Sequence, residues 1–260
     1  MDKLRTFQDN SSQNLFYREM YKNQTLEFSN KKRLHYNRLN NTIRKENVMS
    51  IKKALSLLDN FIDPSDPDLD IPNSVHAYMT AERIRKKFPN NKELQIVGLI
   101  HDLGKVLFTF NEPSWSVVGD TYVLGTEFPS TIVFNNELRH SPDFNKYNGL
   151  GIYKENCGID NLILSYGHDE YLYTVLKNNN NHKISDKYLK VIRYHSFYPW
   201  HTYNEYKQFM NKDDYQVLKD VKEFNKFDLY SKEDTIKISD STKEYYDKLL
   251  DEYFFGELKW

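Results

Sequence analysis

Cysteine and long apolar runs are almost missing from this chain, and both absences exclude classes of protein. Cys157 is the only cysteine among 260 residues, so no internal disulfide can form. No stretch reaches the ~18 consecutive apolar residues that a membrane-spanning helix needs. The first residues, Met1 to Thr6, lack the apolar segment of a signal peptide. We therefore expect a cytoplasmic protein that has no membrane partner.

An excess of either charge is also missing. Lys and Arg number 36 and Asp and Glu number 37, which gives a formal net charge of -1. Nothing in this balance favours nucleic acid as a partner. Aromatic residues, in contrast, make up 15% of the chain, with 20 Tyr and 16 Phe. A chain of this composition can build one large core.

Apolar residues recur at helical spacing along most of the chain, and no repeat or long linker divides it. Helices are predicted from Met49 to Pro64, over 73–88, 94–110 and 161–176, after Ser185-Asp186, and over 213–230 and 241–254. The segment 111–158 is rich in Gly, Pro and Asn, and only short strands are expected there, at 115–118 and 131–134. Residues 1–30 are polar and predict a partly ordered lead-in. The remainder predicts a single all-α domain over residues 31–260.

Six His and Asp side chains lie on segments that these patterns predict to be buried, namely His76, His101, Asp102, His168, His195 and Asp228. A buried charge without a partner costs several kcal/mol, so this set indicates an enclosed metal. Four imidazoles with two carboxylates suit iron, manganese or zinc better than magnesium. Taken singly, each residue also fits an ordinary core position. Asp228, for example, has Lys226, Lys232 or a helix N-terminus as alternative partners.

The pair His101-Asp102 interrupts an otherwise apolar run, 96–107. Adjacent helical residues point about 100° apart, so His101 can face one metal while the carboxylate of Asp102 bridges to a second. Lys105 lies one turn beyond His101 and would be costly to bury without an anion. A satisfied core histidine remains an alternative for this pair alone.

Other polar residues predict more local roles. Asp169 is expected to cap a helix, to pair with a cation or to orient His168. Four histidines in polar or irregular contexts are expected at the surface or in local hydrogen bonds: His35, His140, His182 and His201. The acidic stretch 63–70 lacks the Gly and Glu of a calcium loop, since Ile71 and Ala77 stand at those positions. Alone, this stretch predicts an acidic turn before a helix.

The order of the six residues, with the blocks around them, resembles the HD-domain superfamily and, within it, the myo-inositol oxygenase family. The blocks are 63–76 (DPSDPDLDIPNSVH), 97–105 (VGLIHDLGK), 115–120 (WSVVGD), 165–173 (SYGHDEYLY), 193–201 (RYHSFYPWH) and 223–230 (EFNKFDLY). The His-Asp pair alone would specify only the superfamily. The HSFYPWH and EFNKFDLY sequences are specific to the oxygenase family, and the resemblance runs from about residue 20 to Trp260.

The resemblance implies a fold and a cofactor. The fold would be an HD-domain-like helical bundle with a small irregular or short-strand insertion. The cofactor would be two irons per chain, with a mixed-valent Fe(II)/Fe(III) active form. The ligands of one iron would be His76, His101, Asp102 and Asp228. Asp102 would bridge to the second iron, which His168 and His195 would also hold.

The resemblance also implies a reaction: cleavage of the myo-inositol ring with O2 to give D-glucuronate, a four-electron oxidation that opens inositol catabolism, carried out by a monomer. Lys105, Asp102 and His195 would be the catalytic residues. Substrate contacts would come from Arg5, Asp63, Asp66, Lys105, Gly119, Asp120, His195, Ser196 and Lys232. For Asp63 and Asp66 this implication replaces the simple acidic turn.

Two other functions remain open from the sequence. An HD-type metal-dependent phosphohydrolase would need a cationic clamp for phosphate, and Arg83 and Arg85 are candidates, although the stretch 83–87 is typical of a solvated face. A binding protein that has lost turnover would lack one or more metal ligands, and none of the six is missing.

Overall fold

The computed structural model describes residues 11–37, 46–65, 72–229 and 238–260. The helices of these residues are α1 (Ser11–Asn23), α2 (Leu26–Asn37), α3 (Ile51–Leu57), α4 (Asn73–Lys87), α5 (Lys92–Ile100), α6 (His168–Lys177), α7 (Asp186–Tyr194), α8 (Tyr198–His201), α9 (Asp214–Asp228) and α10 (Asp240–Tyr253). The strands are β1 (Val48–Ser50) and β2 (Glu257–Lys259). The all-α prediction is confirmed, and no described helix is long and apolar enough to cross a bilayer.

Local sequence explains where several helices begin. The Asn91 side chain accepts a hydrogen bond from the Leu94 amide at 3.1 Å and so caps α5. Ser50 caps α3 in the same way through the Lys53 amide, and Ser239 caps α10 through the Thr242 amide. Helix α4 starts directly after Pro72, whose ring favours the first turn of a helix.

The core is built mainly from helices packed in pairs, α4 on α5 and α6 on α7. Helix α5 is buried on all sides, because every residue from Leu94 to Ile100 lies in the interior. The large aromatic side chains predicted to fill a core do so, and Trp200, Trp260 and Phe197 are among the most deeply buried. A second, smaller apolar cluster forms where α1 packs on the segment 122–138.

The two strands form a small antiparallel sheet that joins distant parts of the chain. Val48 pairs with Lys259 and Ser50 with Glu257. Trp260 donates from its indole nitrogen to the Met49 carbonyl at 3.0 Å. The short strands expected at 115–118 and 131–134 are not formed, and these described residues are turns, bends and a 3-10 segment. Local hydrogen bonds satisfy the backbone there, for example from the Val118 amide to the Ser114 carbonyl and from the Ile132 amide to the Pro129 carbonyl.

Two predicted helices are shorter than expected. The helix predicted over 94–110 ends at Ile100, and after His101 and Asp102 the chain continues as a 3-10 helix, Leu103–Phe110. The helix predicted over 161–176 begins only at His168. Residues before it are extended instead, because the Ser165 amide donates to the Tyr122 carbonyl at 2.8 Å. Both differences place metal-ligand candidates at helix ends.

The predicted lead-in contains regular structure. Residues from Ser11 onward form α1 and α2, and Tyr17, Met20 and Tyr21 of α1 are buried against the rest of the protein. The expected boundary at residue 30 falls inside α2. Helix α2 is fastened by a polar side chain, since Ser29 donates to the Leu164 carbonyl at 2.6 Å.

Candidate metal centre

The six His and Asp residues singled out by sequence lie together at the ends of helices. His76 is on α4, His101 and Asp102 follow α5, His168 begins α6, His195 follows α7 and Asp228 ends α9. Each is buried, with at most 8% of its surface exposed. Five helices are therefore needed to assemble one cluster.

Asp228 is the centre of one group of ligand atoms. Its Oδ1 atom lies 3.0 Å from Nε2 of His76 and 3.0 Å from Nε2 of His101. These three residues present ligand atoms that all lie within 4.8 Å of one another. Their donor set of two imidazoles and a carboxylate is one that iron, manganese or zinc accepts.

Asp102 connects this group to a second one. Its Oδ2 atom faces the first group, 3.6 Å from Nε2 of His101. Its Oδ1 atom faces the other way, 3.2 Å from Nε2 of His168 and 3.5 Å from Nε2 of His195. One carboxylate thus has an oxygen toward each group, which is the arrangement that a bridging ligand requires.

Backbone carbonyls orient three of the four imidazoles. The Nδ1 atoms of His101, His168 and His195 lie 2.7–2.8 Å from the carbonyl oxygens of Gly98, Val117 and Ile192. A carbonyl accepts, so each Nδ1 carries a proton and donates it, and Nε2 is left as the ligand atom. His168 and His195 then bring their Nε2 atoms 3.2 Å apart. The lone pairs of these two nitrogen atoms can therefore point at one cation, which favours a metal ion bound by both histidines.

The charges of the cluster also favour a cation. Burial alone would lower the pKa of His101, but the carboxylates of Asp102 and Asp228 outweigh burial and raise it to about 9. Burial opposes ionisation of both carboxyl groups, yet Lys105 and His101 hold the pKa of Asp102 well below its usual range, and His101 and His76 do the same for Asp228. A metal ion would take the place that a proton on His101 otherwise fills.

Lys105 is buried beside the cluster and is surrounded by oxygen atoms. Its ammonium donates to Asp102 Oδ2 and to Asp63 Oδ2, both at 2.8 Å. With its amide in the hydrogen-bonding orientation, Asn73 accepts from Lys105 at 3.1 Å and donates to Asp102 at 3.2 Å. Burial would lower the pKa of Lys105, but Asp102 and Asp63 outweigh it and raise the pKa, so the ammonium keeps its proton.

With the imidazoles neutral, the two ligand carboxylates and the Lys105–Asp63 pair beside them carry a net charge of -2. Asp63, Asp102 and Asp228 contribute three negative charges and Lys105 contributes one positive charge. An uncompensated charge of this size is costly to bury. The residues present therefore fit one or two multivalent cations by number, by type and by charge.

A loop expected to contact substrate lies next to the second group. Gly119 and Asp120 precede Thr121, whose amide donates to the Ser196 carbonyl at 2.9 Å and whose hydroxyl donates to Asp169 at 2.7 Å. Asp120 and Ser196 are both buried. The loop is held on its other side by α1, because Met20 approaches Gly119 so closely that a Cβ atom there would lie 2.7 Å from its sulfur.

The expected substrate residues are therefore only partly brought together. Asp63, Lys105, Gly119, Asp120, His195 and Ser196 lie at or beside the cluster. Arg5, Asp66 and Lys232 lie outside the described residues. Asp169, the second residue of α6, accepts a hydrogen bond from the Glu170 amide at 2.8 Å, and the Val117 carbonyl, not Asp169, orients His168.

Sequence reasoning missed three residues that support the cluster. His201, expected at the surface or in a local hydrogen bond, is fully buried and donates from Nε2 to the His195 carbonyl at 2.9 Å. Asn225 donates to the same carbonyl at 3.2 Å. Asn73, the first residue of α4, faces Asp102 and Lys105. The sequence signal that could have found these residues is their position inside the HSFYPWH, EFNKFDLY and PNSVH sequences.

The two arginines considered as a phosphate clamp have other partners. Arg83 donates to the Phe227 and Leu229 carbonyls at 3.2 and 3.3 Å and thereby holds the end of α9 on either side of Asp228. Arg85 stacks on the Tyr245 ring at 3.8 Å and pairs with Glu82 at 3.1 Å. Both guanidiniums are thus engaged with other groups of the protein itself.

The fold and the cluster together define a helical protein with a buried His/Asp candidate metal centre. A family model described as Myo-inositol oxygenase matches residues 10–260. The chain belongs to the myo-inositol oxygenase family, and the resemblance noted from its sequence is confirmed. It is similar to "Inositol oxygenase" of Danio rerio, with 43% identity over 94% of this chain and 87% of the relative. For "Inositol oxygenase" of Mus musculus the values are 42%, 94% and 85%, and for "Inositol oxygenase 1" of Arabidopsis thaliana they are 45%, 94% and 79%.

Proposed function

We propose that this chain is an inositol oxygenase that cleaves the ring of myo-inositol with O2 to give D-glucuronate. One observation carries the proposal: four imidazoles surround two buried carboxylates, those of Asp102 and Asp228. Asp102 faces both groups of ligand atoms. Family membership supplies the substrate. The reaction balances when one atom of O2 enters the product and the other leaves as water, with four electrons removed from the carbon skeleton.

The centre would hold two irons. The first would be bound by His76, His101, Asp228 and Asp102, and the second by Asp102, His168 and His195. When bound, the irons supply Lewis acidity toward a substrate hydroxyl and exchange electrons with O2. The mixed-valent Fe(II)/Fe(III) pair is the active form that the family implies.

The chain's own residues would bind and orient the polyol. Lys105 keeps its proton and therefore does not act as a base. It would donate a hydrogen bond to a substrate oxygen in exchange for one of its contacts with Asp63, Asp102 and Asn73. Asp63 and Asp120 accept from sugar hydroxyls, and Ser196 and the Gly119 backbone offer further polar contacts. Burial of all six ligands excludes bulk water from the reacting atoms. Arg5, Asp66 and Lys232 complete the proposed set of substrate contacts, and Asp102 and His195 act in catalysis through the metal.

The proposed setting is a cytoplasmic monomer of the HD-domain class.

The test is oxygen uptake by protein reconstituted with iron. Addition of myo-inositol should start O2 consumption with one D-glucuronate formed per O2, and His195→Ala should abolish it because a ligand of the second iron is removed. Phosphate release from nucleotides without O2, together with no inositol-dependent O2 uptake in air, would instead assign a phosphohydrolase.

A further inference from the structure

Glu170 and Arg193 form a buried, two-pronged ion pair between helices α6 and α7. The Arg193 Nε atom donates to Glu170 Oε2 at 2.7 Å, and Nη2 donates to Oε1 at 3.3 Å. Only 6% of the Arg193 side chain and 5% of the Glu170 side chain are exposed. A planar guanidinium bonded at two points fixes both distance and orientation, which a single hydrogen bond does not.

The position of this pair along the chain is what links it to the metal centre. Glu170 is two residues after His168, in the first turn of α6. Arg193 is two residues before His195, in the last turn of α7. The ion pair therefore joins the two helix ends whose histidines bring their Nε2 atoms to 3.2 Å. A slide or rotation of one helix against the other would change that separation directly.

The surroundings hold the guanidinium of Arg193 from several sides. Arg193 Nη1 also donates to Asp160 at 3.2 Å, and the guanidinium lies 4.7 Å from the centre of the Tyr173 ring. Arg33 of α2 pairs with the Oε1 atom of Glu170 at 2.9 Å, the oxygen that Arg193 Nη2 also contacts. Lys190 also pairs with Asp160 at 2.6 Å, so three cations meet two carboxylates and this network needs no metal to neutralise it.

Stability alone is a poor explanation for such a network. A buried ion pair loses about as much by desolvation as it gains by attraction, and well-packed apolar replacements are often neutral or stabilising. Unlike an apolar contact, this ion pair fixes the distance and the orientation between the two helices that it joins.

We infer that Glu170 and Arg193 are positioning residues for the second metal site. They hold α6 and α7 in the register at which His168 and His195 address one cation. The inference rests on the proposed two-metal centre. It assigns to this pair a role in metal affinity at one site and none at the other, whose ligands His76, His101 and Asp228 come from α4, α5 and α9.

The test is an anaerobic titration of ferrous iron into metal-free protein, with bound iron counted per chain. The wild type should bind two irons. Glu170→Gln and Arg193→Lys should keep the affinity of one site and weaken the other about 10- to 100-fold, the usual effect of losing a residue that orients a ligand. His195→Ala, which lacks a ligand of the second site, defines the affinity of the site that remains.

Two further variants separate positioning from stability. Arg18→Met breaks another ion pair to a buried carboxylate, Glu137, far along the chain from the ligands, and should leave both iron affinities unchanged. The double variant Glu170→Gln with Arg193→Met removes both charges of the pair. Asp160 then keeps Lys190 at 2.6 Å, and the side-chain oxygen of the glutamine can still accept a hydrogen bond from Arg33. The double variant should fold even if a single variant does not, and its second-site affinity should stay reduced.

The outcomes are distinct. Two irons bound with wild-type affinity by the double variant would overturn the inference and leave the proposed function intact. Equal weakening of both sites, in step with lost stability, would also overturn it, because the pair would then act only on the fold. A wild type with a single iron site would overturn the two-metal centre, and the inference with it.

Discussion

In three histidines of this cluster, a hydrogen bond to the backbone occupies one ring nitrogen. Only the other nitrogen is then available to bind a metal. The Nδ1 atoms of His101, His168 and His195 face backbone carbonyls. The His195 carbonyl is in turn held by His201 and Asn225. The orientation of the rings therefore depends on backbone geometry as much as on the choice of histidine.

Replacing Lys105 with Ala should weaken inositol binding and leave iron binding unchanged. A charge-assisted hydrogen bond is worth roughly 1.5–3 kcal/mol, so we expect about a ten- to hundredfold loss of affinity. The measurement is a titration of myo-inositol into the iron-loaded variant, with iron counted beforehand. Lys226→Ala, which changes an exposed lysine, is the matched control. If affinity is unchanged and only stability falls, Lys105 merely neutralises Asp63 and Asp102.

His201 should make stability depend on pH in a defined window. Burial lowers its pKa from the ordinary 6.5 to about 3. Above pH 6.5 both the folded and unfolded chains leave it neutral; as the pH falls toward 3, only the unfolded chain takes up this proton, so stability is lost. His201→Gln keeps an amide donor and removes this proton. Between pH 6 and 4.5 its free energy of unfolding, from urea titrations, should fall less steeply than that of the wild type, by up to about 1.4 kcal/mol per pH unit. Equal slopes would contradict the prediction.

The identities of the six clustered residues could be predicted from sequence, but several supporting residues could not. Charged and imidazole side chains that interrupt apolar runs can be recognised in the amino-acid sequence alone. His201 was not distinguished from His140, because burial of a histidine depends on which distant helix covers it. Asn73 shows the same limit, since its partners Asp102 and Lys105 lie about thirty residues away.

Helix ends are the elements that build this site. His101 and Asp102 follow α5, His168 begins α6, and Asp228 ends α9. The apolar pattern predicted the presence of these helices well and their ends poorly. A continuous helix over 94–110 fits the periodicity, yet the chain tightens after Asp102 because Gly104 packs against the backbone of α6. No periodicity encodes such a close approach.

Gly104→Ala should disturb the metal centre through the contact between these elements. A Cβ atom at this position would lie 1.9 Å from the His168 carbonyl oxygen, so α6 or the 3-10 helix must move. We expect about 1–3 kcal/mol of lost stability and weaker iron binding at the site of His168. Gly149→Ala is the control: its Cβ meets nothing within 4 Å, and its backbone strain at φ +55° costs about 1–2 kcal/mol without changing iron affinity. Equal iron affinity in Gly104→Ala and Gly149→Ala would argue against a role of this contact in the metal centre.

At the scale of the whole molecule, the metal centre and the fold stabilise each other. The ligands come from α4, α6, α9 and the ends of α5 and α7, so an ion bound there ties together most of the core. Without an ion, the ligand carboxylates of Asp102 and Asp228 and the neighbouring carboxylate of Asp63 have one ammonium beside them, that of Lys105. The all-α class was predictable from composition and periodicity, whereas the joining of these helices at one point depends on contacts between residues far apart in the chain.

Iron should therefore raise the thermal stability of the protein in two increments. A ligand present at 100 times its dissociation constant stabilises the folded state by about 2.7 kcal/mol per site. For a protein of this size we expect roughly 5–10 °C in Tm for each site filled. The measurement is thermal unfolding under anaerobic conditions at increasing ferrous iron, with a chelator as the metal-free reference. His195→Ala should retain only the increment of the first site, since His76, His101 and Asp228 are untouched. If the variant gains as much as the wild type, the second site adds nothing to the fold, and the mutual stabilisation argued from the buried charge is limited to one ion.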